Sequence, residues 1–107
     1  LSQTFPLIVA LIERQEVRIS EHGYDELSAD GILVQEAVAG VREGLVVEDY
    51  PGYPKGPCVL VLQRDSEGRP LHVLWGIPRK ASSPAVLVTA YRPDPNRWSK
   101  DYLQRKS

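Results

Sequence analysis

The sequence predicts an α+β domain in which N-terminal helices pack on one face of an antiparallel four-stranded sheet. Three observations carry that prediction. Apolar residues recur at helical spacing only up to Leu45. Beyond it they alternate or form short continuous runs. Those runs are joined by turns and proline-rich loops too short to hold crossover helices. A chain of 107 residues, 42% apolar and 25% charged, fits one domain over residues 1–107 with a single core.

Thr4 is the expected cap of a first helix, with Pro6 in its opening turn and Leu7, Ile8, Leu11 and Ile12 as its apolar stripe. Val17-Arg18-Ile19-Ser20 alternates, as a short strand or an extended connection does. A second helix opens near His22, turns Tyr24 and Leu27 inward, and breaks at Asp30-Gly31. The third runs from about Leu33 to Glu43, with Val34, Val38, Val41 and Leu45 at i, i+4, i+7 and i+11 as its stripe, Ala37 flanking it, and Gly44 in the C′ position.

Leu45 to Asp49 reads as the first strand. Residues 50–57 hold three prolines and two glycines, which cannot sustain a ladder, so they form a loop. Cys58–Arg64 and Leu71–Ile77 make a hairpin around Asp65-Ser66-Glu67-Gly68. Val86 to Tyr91 is the last strand, ended by Pro93 and Pro95. Asn96 or Ser99 caps a short tail helix that docks Trp98.

The charge pattern narrows function. Thirteen Lys and Arg against 14 Asp and Glu leave a net charge of −1, without the basic excess that marks most nucleic-acid binders. RNA binding would need local clusters, and Arg64, Arg69, Arg79, Lys80, Arg92 and Arg97 all lie near strand ends. The single cysteine, Cys58, reads as a buried small hydrophobe in a reduced, cytoplasmic setting. The run from Pro6 to Ile12 is too short to span a membrane. No paired His or Cys ligand spacing, phosphate loop or nucleophile elbow is present, so neither metal nor cofactor is expected.

Two histidines are the candidates for proton transfer. His72 lies on a strand, on the face of Leu60, Leu62 and Leu74 if it pairs near Leu62; such a residue either serves the core or acts as a rigid acid or base. His22 opens a helix, where the dipole favours the neutral ring.

Several segments together resemble the DUF4258 family, placed near the RelE/ParE-like toxins in the barnase–EndoU–colicin–RelE grouping. They are Ser20-Glu21-His22, Gly31-Ile32, Gly44 with Glu48-Asp49-Tyr50, Gly68-Arg69-Pro70-Leu71-His72-Val73, and Thr89-Ala90-Tyr91-Arg92-Pro93-Asp94-Pro95 with Arg97-Trp98. The resemblance implies a RelE-like fold and metal-independent RNA cleavage. On that reading His22, His72 and Tyr91 supply acid–base chemistry, Arg69 and Arg92 hold phosphate, and an antitoxin or other protein is the partner. Family members commonly carry arginines four and eight residues after the first histidine; this chain has Glu26 and Asp30, which repel phosphate. The alternative is a non-catalytic domain of the same fold that binds a protein or small ligand, with structural histidines.

Overall fold

The computed structural model describes residues 2–107. Helix α1 (Thr4–Glu13) leads to strand β1 (Val17–Ile19), helix α2 (Glu21–Ala29) and a short helix α3 (Val34–Ala39) that tightens into a 3₁₀ turn over Gly40–Glu43. Strands β2 (Leu45–Tyr50), β3 (Cys58–Arg64), β4 (Pro70–Gly76) and β5 (Ala85–Tyr91) follow. The architecture is α+β, as expected, but the sheet has five strands in the order β1-β5-β4-β3-β2 and is mixed. The expected four strands are antiparallel; the fifth, β1, joins parallel to β5 through Val17↔Ala85, Arg18↔Val86 and Ile19↔Leu87. Three residues are too few to declare by alternation which strand they will join, and the parallel partner lies most of the chain away.

One face of the sheet carries the core. Ile8 and Leu11 of α1, Leu27 of α2, and Ala37 and Val41 around α3 close over Val59, Val61, Leu71, Val73, Trp75 and Leu87. Each fully buried aliphatic side chain there contributes about 1.5–3 kcal/mol relative to exposure. One buried polar residue joins the apolar ones. The Gln63 amide donates to Ala37 O at 2.6 Å and accepts from Trp75 Nε1 at 2.9 Å, so all three groups are satisfied away from water.

Helix α2 sits unusually close to β5 because Gly23 faces it: a Cβ there would lie 2.7 Å from Leu87 O. Ser20 fastens the same junction. Its hydroxyl accepts from Gly23 N–H at 2.9 Å, capping α2, and donates to Val88 O at 3.1 Å. Val88 is the extra residue of a bulge, since Leu74 pairs with Thr89 and Trp75 with Leu87. Its carbonyl thus finds in Ser20 the partner that regular pairing does not supply.

Several local expectations change. The N-cap position of α1 is Gln3, and Ser2 just before it supplies the oxygen that accepts from the N–H groups of Thr4 and Phe5; Thr4 is already helical. Tyr24 points outward, 54% exposed, because Gly23 occupies the packed position. Leu7 is exposed too, leaving Ile8 and Leu11 as the buried stripe of α1. Gly44 ends the third helical segment in extended backbone (φ −72°, ψ 156°), not in a left-handed C′ conformation. The tail forms no helix. Residues 94–107 fold as turns closed by a bridge between Trp98 and Arg105. Among the described residues no helix is long and apolar enough to cross a membrane.

Candidate functional site

At the strand ends near α2 and α3 gather Asp65, Arg69 and Arg92, while the sheet face opposite the helices holds His72, Tyr91 and Glu48. Pairing aligns its side chains in rows. Leu62, His72 and Tyr91 form one row; Glu48, Leu60, Leu74 and Thr89 form the next. A third row crosses all five strands as Arg18, Val86, Gly76, Cys58 and Tyr50. Two different coverings divide this face into a sealed half and an open half.

The tail seals the first row. Trp98 is buried with its ring edge-on to His72, centroids 4.4 Å apart. Arg105 lies over the opposite partner of that stack, its guanidinium carbon 4.7 Å from the Trp98 ring centroid. The same guanidinium grips Glu48 with two bonds of 2.8 and 3.0 Å, and Tyr50 O–H also donates to Glu48. Arg105 holds the Glu48 carboxyl below its ordinary range, against the opposing effect of burial.

Beneath this clamp His72 is fully buried, 0% exposed. Its Nε2 lies 2.8 Å from Tyr102 O, a carbonyl that can only accept, so Nε2 carries the proton. Nδ1 is then the acceptor, and Tyr91 O–H donates to it at 3.1 Å. Burial pushes the imidazole pKa down, with the Tyr102 carbonyl working against it. Burial likewise pushes the Tyr91 phenol up, keeping the donor protonated. The ring is neutral and both nitrogens are occupied within the protein. A general base needs a free lone pair aimed at its substrate, and this ring has none.

The two arginines expected to meet phosphate are engaged elsewhere. Asp65, at the start of the β3–β4 turn, has a buried carboxylate. Burial would raise its pKa, but the Arg69 and Glu67 N–H groups and the two nearby guanidinium groups outweigh that and hold it low. Arg69 Nε and Arg92 Nη2 each lie 3.1 Å from its Oδ2. Arg92 N–H donates to Asp30 at 2.9 Å, so this acid ties the end of α2 to the end of β5.

His22 stands apart, on α2 at the other side of the sheet, exposed and 3.7 Å from Glu26. The structure therefore joins His72 to Tyr91, joins Arg69 to Arg92 through Asp65, and unites neither pair with His22.

No tail residue covers the third row, which lines a groove of about 500 Å³; Cys58, Gly76 and Val86 lie buried at its bottom, while Arg18 and Tyr50 at its two ends are exposed. Leu74 and the bulged Val88 complete the floor, Tyr53 and Lys55 of the β2–β3 loop overhang one side, and Arg18 stands on β1. Gly56 bends that loop against β4 at φ 123°; a Cβ would collide with Ile77 O, so only glycine brings the loop this close. Burial raises the pKa of Cys58, which keeps its thiol protonated. Sequence reasoning overlooked this groove. Its signals were the alternation that turns Arg18 to one face and the paired tyrosines of the loop, but assembling them requires the β1–β5 pairing and the bulge. Among the described residues no cluster of three potential metal ligands occurs.

Comparison with known proteins gives one match. The model of the family described as a domain of unknown function, DUF4258, covers residues 19–92. No curated protein and no solved structure matches the chain.

Proposed function

This chain belongs to the DUF4258 family, and from that premise and the geometry of its sheet we propose that it is a binding domain which takes a small ligand in the open groove. The observation that supports this reading most is the division of the sheet face. The half bearing His72 is closed by the protein's own tail, while the other half opens into a groove whose largely buried apolar floor is bordered by polar side chains. Concave, largely apolar surfaces with a few placed polar groups are the usual form of small-molecule sites. His72 then serves the fold as a hydrogen-bonded link between β4, β5 and the tail.

A RelE-like ribonuclease is the weaker proposal. In its favour stand the family resemblance and the contact of His72 with Tyr91. Against it stand the burial of His72, the pairing of Arg69 and Arg92 with Asp65, and the remote position of His22.

A fragment screen followed by ¹⁵N–¹H correlation spectra tests the binding reading. Amide shifts centred on Cys58, Leu74, Gly76 and Val88 are expected. RNA cleavage by the wild-type protein that His22→Ala or His72→Phe abolishes, with folding intact, would overturn it in favour of the nuclease.

A further inference from the structure

The groove's charge pattern restricts what it can hold. Among the described residues that line it there are two formal charges, Arg18 and Lys55, and both are positive. Neither has a carboxylate within ion-pair distance, whereas Arg14, Arg42, Arg69, Arg92 and Arg105 all do. Of the acids beside the groove, Glu48 is taken up by Arg105 and Tyr50, and Asp49, whose charge reaches the Cys58 thiol, accepts from Ser2 Oγ at 2.7 Å. Two uncompensated cations beside an apolar floor form a local positive field on a chain whose net charge is −1.

The floor adds a shape requirement. Gly76 has no side chain at the centre of the five-strand row, and its neighbours Val86 and Cys58 are small, so the row is shallow and flat there. The rings of Tyr50 and Tyr53 border it. A flat apolar body fits against such a surface, with aromatic edges or faces meeting it at the side.

We infer that the ligand is a small organic anion, a flat apolar body bearing a carboxylate that Arg18 and Lys55 receive. Arginine suits this role because its planar fork matches a carboxylate with two parallel bonds. The inference rests on the binding function proposed above and specifies its ligand class.

The test uses two probes of nearly identical shape, 1-naphthaleneacetate and uncharged 1-naphthaleneacetamide, titrated into the whole chain by ¹⁵N–¹H spectra at low salt. The acetate is expected to bind at least about tenfold more tightly, the scale of one charge-assisted contact. In the Arg18→Gln, Lys55→Gln double variant the two affinities should converge to within about threefold, and added salt should narrow the wild-type difference. Gly76→Val should weaken both probes alike. Its Cβ would meet Cys58 Cβ and Pro57 O at 3.4 Å and Val88 Cγ2 at 3.6 Å, ordinary contacts, its two further methyl groups fill the floor, and a urea unfolding curve of the variant checks that it folds.

Equal affinity of the two probes for wild type, lost in Gly76→Val, would overturn the anion inference and leave the groove as a binding site. A charge preference that survives the double variant would overturn the assignment to Arg18 and Lys55. Failure of both probes to shift any groove amide would overturn the inference and the binding reading together.

Discussion

The two halves of the sheet face opposite the helices are built on the same strands, yet one is closed by the tail and the other opens into a groove. Over His72 the tail lays Trp98, Tyr102 and Arg105, and each polar group beneath finds a partner inside the chain. Two rows along the same strands, Gly76, Cys58 and Val86 lie buried at the floor of a groove that no tail residue fills. The difference teaches that a titratable residue on a strand says little about chemistry until its roof is known. The tail turns His72 from a candidate base into a structural donor and acceptor. Its absence farther down turns ordinary apolar strand residues into a candidate site.

Perturbing the sealed half should cost stability, and perturbing the open half should not. The largest effect is expected for Trp98→Ala. Removing the buried ring uncovers His72 and takes away the platform of Arg105, a loss of about 3–5 kcal/mol that urea unfolding would measure. His72→Phe comes next. The new ring keeps volume but strands Tyr91 O–H and Tyr102 O, a loss of about 2–3 kcal/mol.

The same variant has a pH signature. The folded pKa of His72 is depressed, so the unfolded chain takes up its proton first. Wild-type stability should hold above the ordinary histidine pKa of about 6.5 and decline as pH falls below it towards the folded value. Unfolding curves of His72→Phe should lack that decline, and an identical slope in both proteins would remove His72 as its source.

A smaller effect is expected for Glu48→Gln. It weakens a bidentate pair at the edge of the clamp, whose arginine is largely in solvent, and should cost about 0.5–1 kcal/mol, reduced by salt. Smallest of all is Arg18→Gln, which should stay within about 0.5 kcal/mol of wild type, since Arg18 is exposed and has no ion pair. A stability loss from Arg18→Gln as large as that from His72→Phe would erase the contrast between the halves.

Much of the fold was legible in the sequence, and the site was not, for physical reasons that particular residues show. Strand β3 and the Asp65-Ser66-Glu67-Gly68 turn followed from a short continuous apolar run and turn chemistry, both local properties. The predicted pairing of His72 near Leu62 is also observed. Val17-Arg18-Ile19 carried the right alternation, but its partnership with β5 depends on Gly23 and Ser20 bringing α2 down onto that strand. The third helix was read too long, because Gly40 to Glu43 tighten into 3₁₀ geometry before the chain turns into β2. The roof over His72 was the hardest to foresee. It is made of irregular turns whose packing answers to no periodicity.

The parallel pairing of β1 with β5 also bears on how the domain assembles. Ser20 and Val88, which close that junction, are separated by 68 residues of chain. Hairpin β3–β4 meets across a single turn, whereas this contact needs nearly the whole domain to be in place before it repays the entropy of closing so long a loop. Strand β1 is therefore expected to dock late in folding and to open early in native-state hydrogen exchange. Arg18 rides on that strand, so the groove, which has Lys55 from its own loop, gains its second positive charge only at the end of the folding reaction.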